Sequence, residues 1–224
     1  MAELVYLDLG RAAYEPTLQL QQRLVQRVAA ADEEQAYLLL TEHDPPVITL
    51  GRSARDEHVL VSRQRLAEEG IELRQASRGG DVTVHGPGQL VAYPILRLDR
   101  RGRDVHRYLR DLEAVVIAVL GRFGLDAGRA EGLTGVWVGQ EKVAAIGVAV
   151  RRWVTYHGLS LNVGPDLHLF DYVVPCGIPG KRVTSLSRLL GRNVSISQVQ
   201  PALIECMVRT FGFQAARQAS SAQP

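Results

Sequence analysis

The chain has 224 residues, which is the size of one large domain. Hydrophobic residues make up 46% of the sequence and charged residues 22%. These proportions exclude collagen-like, coiled-coil and intrinsically disordered chains. The 26 basic and 24 acidic side chains leave a net charge of +2, so we expect no nucleic acid among the partners, because phosphate-binding proteins are strongly basic.

The sequence also argues against export or membrane insertion. No apolar run reaches the roughly 18 to 20 residues that a membrane-spanning helix needs. The N-terminal segment lacks the charged region, the long apolar run and the cleavage site of a secretory signal. With only two cysteines, we expect a cytoplasmic protein with free thiols and no membrane contact.

The first half of the chain predicts a mixture of strands and helices. Leucines and valines recur at helical spacing after Glu15, and Gly70 is suited to end a short helix. Strands are predicted at residues 5–9, 37–41, 47–50, 72–77 and 90–98, and helices at residues 15–30 and 62–69. The glycine-rich stretch 78–89 is predicted to be a loop with a short strand inside it.

The second half separates helices from strands more clearly. Residues 104–123 form the strongest helical pattern, with Asp104 as the N-cap and Gly124 after the end. An antiparallel meander is predicted at residues 135–138, 142–150 and 154–163, and further helices at 185–190 and 197–211. This segregation favours an α+β fold with a largely antiparallel sheet and packed helices.

Two segments stand apart from this pattern. Residues 164–183 are irregular and rich in proline and glycine, and a long irregular segment in a compact domain is usually functional. Residues 214–224 are polar, so we expect a disordered tail there after a single domain spanning residues 1–213.

Cys176 is the sharpest candidate for chemistry. It stands between Pro175 and Gly177, where the backbone is restricted and one neighbour has no side chain. A thiol in such a loop can be a nucleophile, although a buried packing role is equally compatible with this local sequence. Cys206 lies in a helical pattern and is predicted to pack in the core.

A nucleophilic cysteine needs a neighbouring base or cation, because an unperturbed thiol has a pKa of about 8.5. His85 and His157 each precede a glycine in segments that could line a cleft. Lys142 begins an apolar strand, an unusual place for a charge, although a lysine at a strand end can also simply reach solvent. The sequence leaves the choice among these three residues open.

The stretch 78–89 is neither a P-loop nor a dinucleotide-binding motif, since it lacks the Gly-Lys-Ser/Thr ending and the required glycine spacing. Its glycines permit a close approach of backbone to a ligand, although a tight hairpin connection is an alternative. The sequence has no metal-ligand spacing, so no metal site is predicted.

Four motifs, taken together, resemble a known family. They are RGGDVTVHGPGQL at residues 78–90, GQEKVAAIG at 139–147, HGLSLNV at 157–163 and PCGI at 175–178. In this order they resemble the octanoyltransferases of lipoate biosynthesis, also called lipoyl(octanoyl) transferases. The resemblance covers most of residues 40–190 and implies a fold like that of the biotin and lipoate protein ligases.

The resemblance implies an acyltransferase that needs no cofactor. It would move an octanoyl group from octanoyl-acyl carrier protein to a lysine of the lipoyl domains of 2-oxoacid dehydrogenase complexes and of the glycine cleavage H protein. Cys176 would form an acyl thioester, and Lys142 would lower the pKa of its thiol and carry protons. The substrate site would be lined by Arg78, Gly79, Gly80, Asp81, Val82, Thr83, Val84, His85, Ala145, Ile146, Gly147, Gly158, Leu159 and Ser160.

The small and apolar positions at residues 145–147 and 158–160 vary from the family pattern, which would affect the acyl site rather than the chemistry. Both protein partners are expected to be acidic, so basic residues at 100–103, 151–152 and 181–182 are candidate docking patches or ordinary surface charge. Two other functions stay open: an ATP-dependent biotin or lipoate ligase, and a non-catalytic module that binds an acyl chain or a carrier protein.

Overall fold

The computed structural model describes residues 3–174 and 182–219, and within them it defines five α-helices and eleven strands. The helices are α1 Tyr14–Ala30, α2 Arg63–Glu68, α3 Val105–Arg122, α4 Leu186–Leu190 and α5 Ile196–Phe211. The strands are β1 Leu4–Ala12, β2 Ala36–His43, β3 Val47–Leu50, β4 Glu72–Gln75, β5 Val82–His85, β6 Gln89–Ile95, β7 Val136–Val138, β8 Glu141–Arg151, β9 Val154–Asn162, β10 Arg182–Val183 and β11 Ala216–Gln218. Every helix and strand predicted from the sequence is present.

The strands form a large and a small sheet. The large sheet has the order β10-β8-β9-β6-β2-β1-β11, with β7 paired to β8, and the small sheet has the order β4-β3-β5. Strands β2, β6, β9 and β8 pair antiparallel in the centre of the large sheet, whereas β1, β11 and β10 add parallel pairs at its two ends. The predicted α+β class with a largely antiparallel sheet is therefore confirmed.

The central strands of the large sheet are buried on both faces. Successive side chains of a strand point to opposite faces, and on β2 the side chains of Leu38 and Leu40 join one core cluster while Leu39 joins another. Helices α3 and α5 cover the first face, and α1 covers the second. Cys206 is fully buried on α5 within the first cluster, as predicted.

The helix ends follow the capping signals in the sequence. The Asp104 side chain accepts a hydrogen bond from the backbone N–H of Arg107, and Ser62 does the same for Arg65 at the start of α2. Each bond satisfies one of the N–H groups that a helix leaves unpaired at its first turn. No helix within residues 3–174 and 182–219 is long and apolar enough to cross a membrane.

The C-terminal segment differs from the expected tail over residues 214–224. Ala216–Gln218 form β11, which pairs parallel with Leu4–Tyr6 of β1 at the edge of the large sheet. The N–H of Leu4 donates to the Ala215 carbonyl and the N–H of Ala219 donates to the Tyr6 carbonyl, each at 2.9 Å. These backbone bonds arise from main-chain groups that every residue carries, so the polar side chains gave no sign of them.

The irregular segment expected at residues 164–183 is only partly irregular. It contains a 3₁₀ helix at Leu167–Tyr172 and strand β10 at Arg182–Val183. Val59 and Val173 form an isolated antiparallel bridge. The bridge connects the end of the 3₁₀ helix to the loop between β3 and α2. Cys176 lies outside the described residues.

Removal of β11 should measurably destabilise the protein. A chain ending at Phe213 loses the backbone bonds between β11 and β1, whose net worth is about 1 kcal/mol each. We expect the free energy of unfolding, measured by urea denaturation, to fall by about 1 to 3 kcal/mol. A chain ending at Ala219, which retains β11, is the control, and equal stability of the two truncated chains would contradict the pairing.

Candidate functional site

A cavity of about 220 Å³ is lined by both sheets. The small sheet contributes Thr49 of β3 and residues of β5, and the large sheet contributes residues of β6, β8 and β9. Tyr14 at the start of α1 and the loop at residues 132–134 complete the lining. The cavity thus lies where residues 78–81, which we call the glycine-rich segment, pass over the large sheet just before β5.

Glycines let the glycine-rich segment approach β8 closely. The N–H of Gly79 donates to the Val148 carbonyl at 2.9 Å. A Cβ at Gly147 would lie 2.9 Å from Cδ of Arg78 and 3.1 Å from the Gly79 carbonyl oxygen. A side chain at residue 147 would therefore push the segment off the sheet, which explains a glycine inside a strand.

The structure brings together nearly all of the substrate-binding residues expected from the sequence. Arg78, Gly79, Gly80, Asp81, Val82, Thr83, His85, Ala145, Ile146, Gly147, Gly158, Leu159 and Ser160 all line the cavity. Val84 does not line it. Its side chain is 1% exposed and packs in the apolar core of the small sheet.

Lys142 lines the same cavity and is 6% exposed. Its Nζ donates to the carbonyl oxygen of Thr134 at 3.0 Å and lies 5.6 Å from the centre of the Trp137 ring. The contact with Trp137 is a cation–π interaction with the ring's π face. These two contacts hold the lysine side chain inside the protein rather than letting it extend to solvent.

A chain of amide hydrogen bonds connects the cavity to the strand of Lys142. His85 Nδ1 donates to Oε1 of Gln89 at 2.7 Å, and Nε2 of Gln89 donates to Oδ1 of Asn162 at 2.8 Å. Nδ2 of Asn162 then donates to the Thr184 carbonyl at 3.0 Å, and the Thr184 N–H donates to the Lys142 carbonyl at 2.9 Å. Because each partner is buried, the chain fixes β5, β9 and the start of β8 relative to one another.

Arg78 places a cation at the edge of the cavity, and it is 8% exposed. Its Nη2 donates to the carbonyl oxygen of Thr49 at 2.7 Å and to the Thr49 hydroxyl at 2.8 Å, and its Nη1 donates to the Gly79 carbonyl at 3.1 Å. These bonds join the glycine-rich segment to β3. They also hold the positive charge close to the histidines described next.

Two buried histidines, His85 and His157, line the cavity, and His43 packs against His85 behind them. Burial is the main cause that lowers the pKa of His43 to about 4 and those of His85 and His157 to about 3, and the nearby charge of Arg78 contributes to the lowering for the last two. His43 Nδ1 donates to the Ala12 carbonyl at 3.0 Å while its Nε2 accepts from the Tyr93 hydroxyl at 2.6 Å. The neutral ring with its proton on Nδ1 satisfies both partners, because Nε2 is then free to accept from the Tyr93 hydroxyl.

Tyr14 and Tyr93 share this environment. Burial raises the pKa of Tyr14 to about 12 and raises that of Tyr93 well above its usual value. Both phenols therefore stay protonated at neutral pH and serve as hydroxyl groups at the cavity wall. The lining thus combines apolar side chains, at Val91, Ile146 and Leu159, with Lys142 and a set of neutral polar rings.

Cys176 lies outside the described residues, but the chain on either side of it is placed. The N–H of Val174 donates to the His58 carbonyl at 2.9 Å. Arg182 and Val183 pair in parallel with Glu141 and Lys142. A second, smaller cavity of about 20 Å³ is lined by both Lys142 and Val173.

The basic residues expected to form docking patches differ in their roles. Arg101 forms an ion pair with Glu34 at 2.7 Å and also bonds the Phe211 carbonyl, so it joins parts of the fold. Arg103 stacks over the exposed Trp153 ring at 5.4 Å, next to the exposed Arg151 and Arg152. Lys181 lies outside the described residues, and Arg182 is 3.8 Å from Glu141.

Several residues of the site were missed by sequence reasoning. Gln89 and Asn162 lie within the recognised motifs, and their amides were the available signal because buried amides usually carry hydrogen-bond networks. Tyr14, His43 and Thr134 gave no signal. Tyr14 and Thr134 line the cavity and His43 packs against Tyr14, all through contacts between distant parts of the chain.

The neutral state of His43 gives a stability prediction. Between the unfolded pKa of about 6.5 and the folded value of about 4, the unfolded chain binds more protons than the folded one. The free energy of unfolding should therefore decrease as the pH falls through this window. His43→Gln should make the decrease between pH 6 and pH 5 smaller by about 1 kcal/mol per pH unit. Urea denaturation at each pH measures it, with the exposed His106→Gln for comparison, and an unchanged slope in His43→Gln would contradict a neutral His43.

Comparison with known proteins agrees with the motif resemblance. Residues 13–208 match the family model described as the lipoyl protein ligase A/B catalytic domain. An octanoyltransferase of Geobacter metallireducens is 50% identical over 193 residues, 86% of each chain. One of Nitratidesulfovibrio vulgaris is 47% identical over 206 residues, 92% of this chain and 93% of the other.

A solved structure extends the likeness to the fold. It contains a bi-partite lipoate protein ligase and its E2 lipoyl domain from Thermoplasma acidophilum, and it matches with a TM-score of 0.77 at 21% identity, over 99% of this chain and 89% of that one. The likeness confirms the expected lipoate-ligase type of fold. Together with the family match over residues 13–208, it shows that the chain belongs to the lipoyl protein ligase A/B catalytic domain family.

Proposed function

We propose that the protein is an octanoyltransferase that moves an octanoyl group from octanoyl-acyl carrier protein to a lysine of lipoyl domains, in the cytoplasm. The observation that carries this proposal is the cavity that Lys142 shares with the glycine-rich segment. The similarity to octanoyltransferases, at 47% to 50% identity, supports octanoyl as the acyl group that is transferred. The acceptors are the lipoyl domains of 2-oxoacid dehydrogenase complexes and the glycine cleavage H protein.

The proposed reaction has two steps through Cys176. The Cys176 thiolate attacks the octanoyl thioester carbonyl, a new C–S bond forms, and the carrier's thiolate leaves and takes up a proton. The acceptor's lysine amine then attacks the octanoyl-Cys176 thioester, the amide C–N bond forms, and the Cys176 thiolate leaves. The amine gives up a proton in this step. The octanoyl group stays activated because it passes from one thioester to another before the amide forms, so no ATP is consumed.

The reach of the chain supports a meeting of Cys176 with Lys142. Cys176 follows Val173 by three residues, which span at most about 11 Å. Val173 lines the small cavity that Lys142 also lines. A cation within about 4 to 6 Å of a thiol stabilises the thiolate. The amine form of the same lysine can accept the proton released from the acceptor.

The shape of the cavity favours an acyl chain. Its wall includes the apolar side chains of Val91, Ile146 and Leu159, and its volume is about 220 Å³, below the roughly 300 to 1,000 Å³ of sites that hold drug-sized ligands. An ATP-dependent ligase would need room for a nucleotide as well as for its acid. A module that only binds an acyl chain would gain nothing from a lysine buried beside that acyl chain. Burial of a charged group costs folding free energy, so a lysine in this place favours a catalytic role.

A transfer assay with cysteine variants tests this function. Without ATP or Mg²⁺, the protein should transfer octanoyl from octanoyl-acyl carrier protein to a lipoyl domain, and Cys176→Ser should abolish transfer. Cys206→Ser is the matched control, because that thiol is fully buried in the helical core, and it should keep nearly full activity. A strict requirement for ATP would favour the ligase, and full activity in Cys176→Ser would remove the thioester step.

Lys142→Ala tests the role of the lysine. If the Nζ stabilises the thiolate, the variant should shift the pH profile of Cys176 alkylation by iodoacetamide upward by about one unit or more. Transfer should fall far more than the binding of octanoyl-acyl carrier protein. Lys181→Arg is the matched control, since it conserves the charge of the other lysine. Superimposable profiles for Lys142→Ala and the unmodified protein would shift the search for a base to His85 and His157.

A further inference from the structure

Glu113 is a carboxylate of helix α3 that the proposed reaction does not use, and its side chain is fully buried. Oε1 accepts a hydrogen bond from the N–H of Gly135 at 3.0 Å. Oε2 accepts from Nε of Arg129 at 2.7 Å and from Nη1 of Arg110 at 2.8 Å. A buried carboxylate is tolerated only when such donors replace water.

The donors from residues 129 and 135 lie at the two ends of one loop. That loop contains Gly132, Leu133 and Thr134, all of which line the main cavity. At its first end, Nη2 of Arg129 also donates to the Arg110 carbonyl at 2.9 Å. Glu113 therefore holds both ends of the loop against α3.

The far end of the loop contacts Lys142 directly. The Thr134 carbonyl accepts the hydrogen bond from Lys142 Nζ. Gly135 has a φ of +130°, and a Cβ there would lie 2.5 Å from Cε of Lys142. The Gly135 backbone thus packs on the lysine side chain. It is one residue from the carbonyl that accepts the lysine's hydrogen bond, and its own N–H is bonded to Glu113.

We propose that Glu113 is a positioning residue for Lys142, acting through the loop at residues 129–135. The carboxylate fixes Gly135 and Arg129, and the loop so fixed presents the Thr134 carbonyl to the amino group. The strand holds only the backbone of Lys142, and a lysine side chain has a flexible four-carbon stem. The importance of Glu113 for catalysis rests on the proposed function, in which Lys142 acts on the Cys176 thiol.

Glu113→Gln is the sharpest variant because it keeps the size of the side chain. All three groups that face Glu113 are donors, and an amide has only one acceptor oxygen. Whichever way the introduced amide turns, its NH₂ faces either the Gly135 N–H or the two guanidinium groups. The variant therefore loosens the loop at one of its holding points without leaving a hole.

The first measurement observes Lys142 itself. Lys142 and Lys181 are the only lysines in the sequence, so protein labelled with ¹³C at lysine Cε gives two side-chain NMR signals, assigned with Lys181→Arg. In Glu113→Gln the Lys142 signal should shift and its two Hε protons should become equivalent as the side chain gains freedom. The Lys181 signal should not move. The surface variant Glu205→Gln, which breaks the ion pair of Glu205 with Arg122 at the C-terminal end of α3, should leave both signals unchanged.

The second measurement observes the reaction. In Glu113→Gln, kcat for transfer should fall roughly 10- to 100-fold with little change in KM, as expected for a misplaced reacting group. The pH profile of Cys176 alkylation should shift upward, in the direction expected for Lys142→Ala. The double variant should show no further shift, because both changes act through one group. A stability loss with an unchanged Lys142 signal and an unchanged alkylation profile would overturn the proposal.

The two measurements separate this proposal from the proposed function. A Lys142 signal that moves in a protein showing no ATP-free transfer supports the positioning and contradicts the octanoyltransferase. Unmoved signals in a protein that transfers normally contradict the positioning alone. If Glu113→Gln does not fold, Arg129→Gln removes one holding point at a side chain that is 43% exposed, and it should change the same readouts in the same direction to a smaller extent.

Discussion

The start of strand β8 is the point on which the rest of the site depends. Lys142 pairs with Trp137 of β7 on one side and with Val183 of β10 on the other. A residue between two hydrogen-bonded neighbours has little backbone freedom, so the side chain leaves the sheet from a fixed position. Strand β10 also begins just after the segment that carries Cys176, so the same pairing brings the chain that follows this segment next to the lysine.

The electrostatics of the cavity follow from its burial. His85 and His157 remain neutral because desolvation and Arg78 both disfavour a second proton. The site thus combines the basic side chains of Arg78 and Lys142 with neutral rings, and within residues 3–174 and 182–219 no carboxylate group other than Asp81 lines its main cavity. Asp81 itself is engaged, with Oδ2 lying 2.6 Å from Nδ1 of His58. A thiolate entering from the adjacent segment would meet positive charge without a competing free carboxylate.

The elements of this fold could be predicted from the sequence because their signals are local. The apolar spacing of α3 and the N-cap at Asp104 are contained within one helix, and the meander of β7, β8 and β9 follows from strands joined by short turns. The sequence predicts a disordered tail at residues 214–224, whereas Ala216–Gln218 form β11. This strand is stabilised by pairing with β1, more than 200 residues away in the sequence. The partner strand leaves no pattern in the segment itself.

The same distinction explains the site. Motifs identified the glycine-rich segment and the residues of β8 and β9, and all of these except Val84 line the cavity. Val84 was included because a motif does not say which of its residues reach the cavity, and this side chain packs in the apolar core of the small sheet. Glu113 and Thr134 could not be found from the sequence, since α3 and the loop at residues 129–135 meet Lys142 only in the folded chain.

The central claim is that an acyl group passes through a thioester on Cys176. Intact-protein mass spectrometry after incubation with octanoyl-acyl carrier protein, in the absence of acceptor and ATP, tests this claim most directly. The account predicts a gain of one octanoyl mass that hydroxylamine removes, with the label on the peptide containing Cys176. Absence of the adduct in protein that still transfers octanoyl to a lipoyl domain, or a label on any other residue, would contradict it.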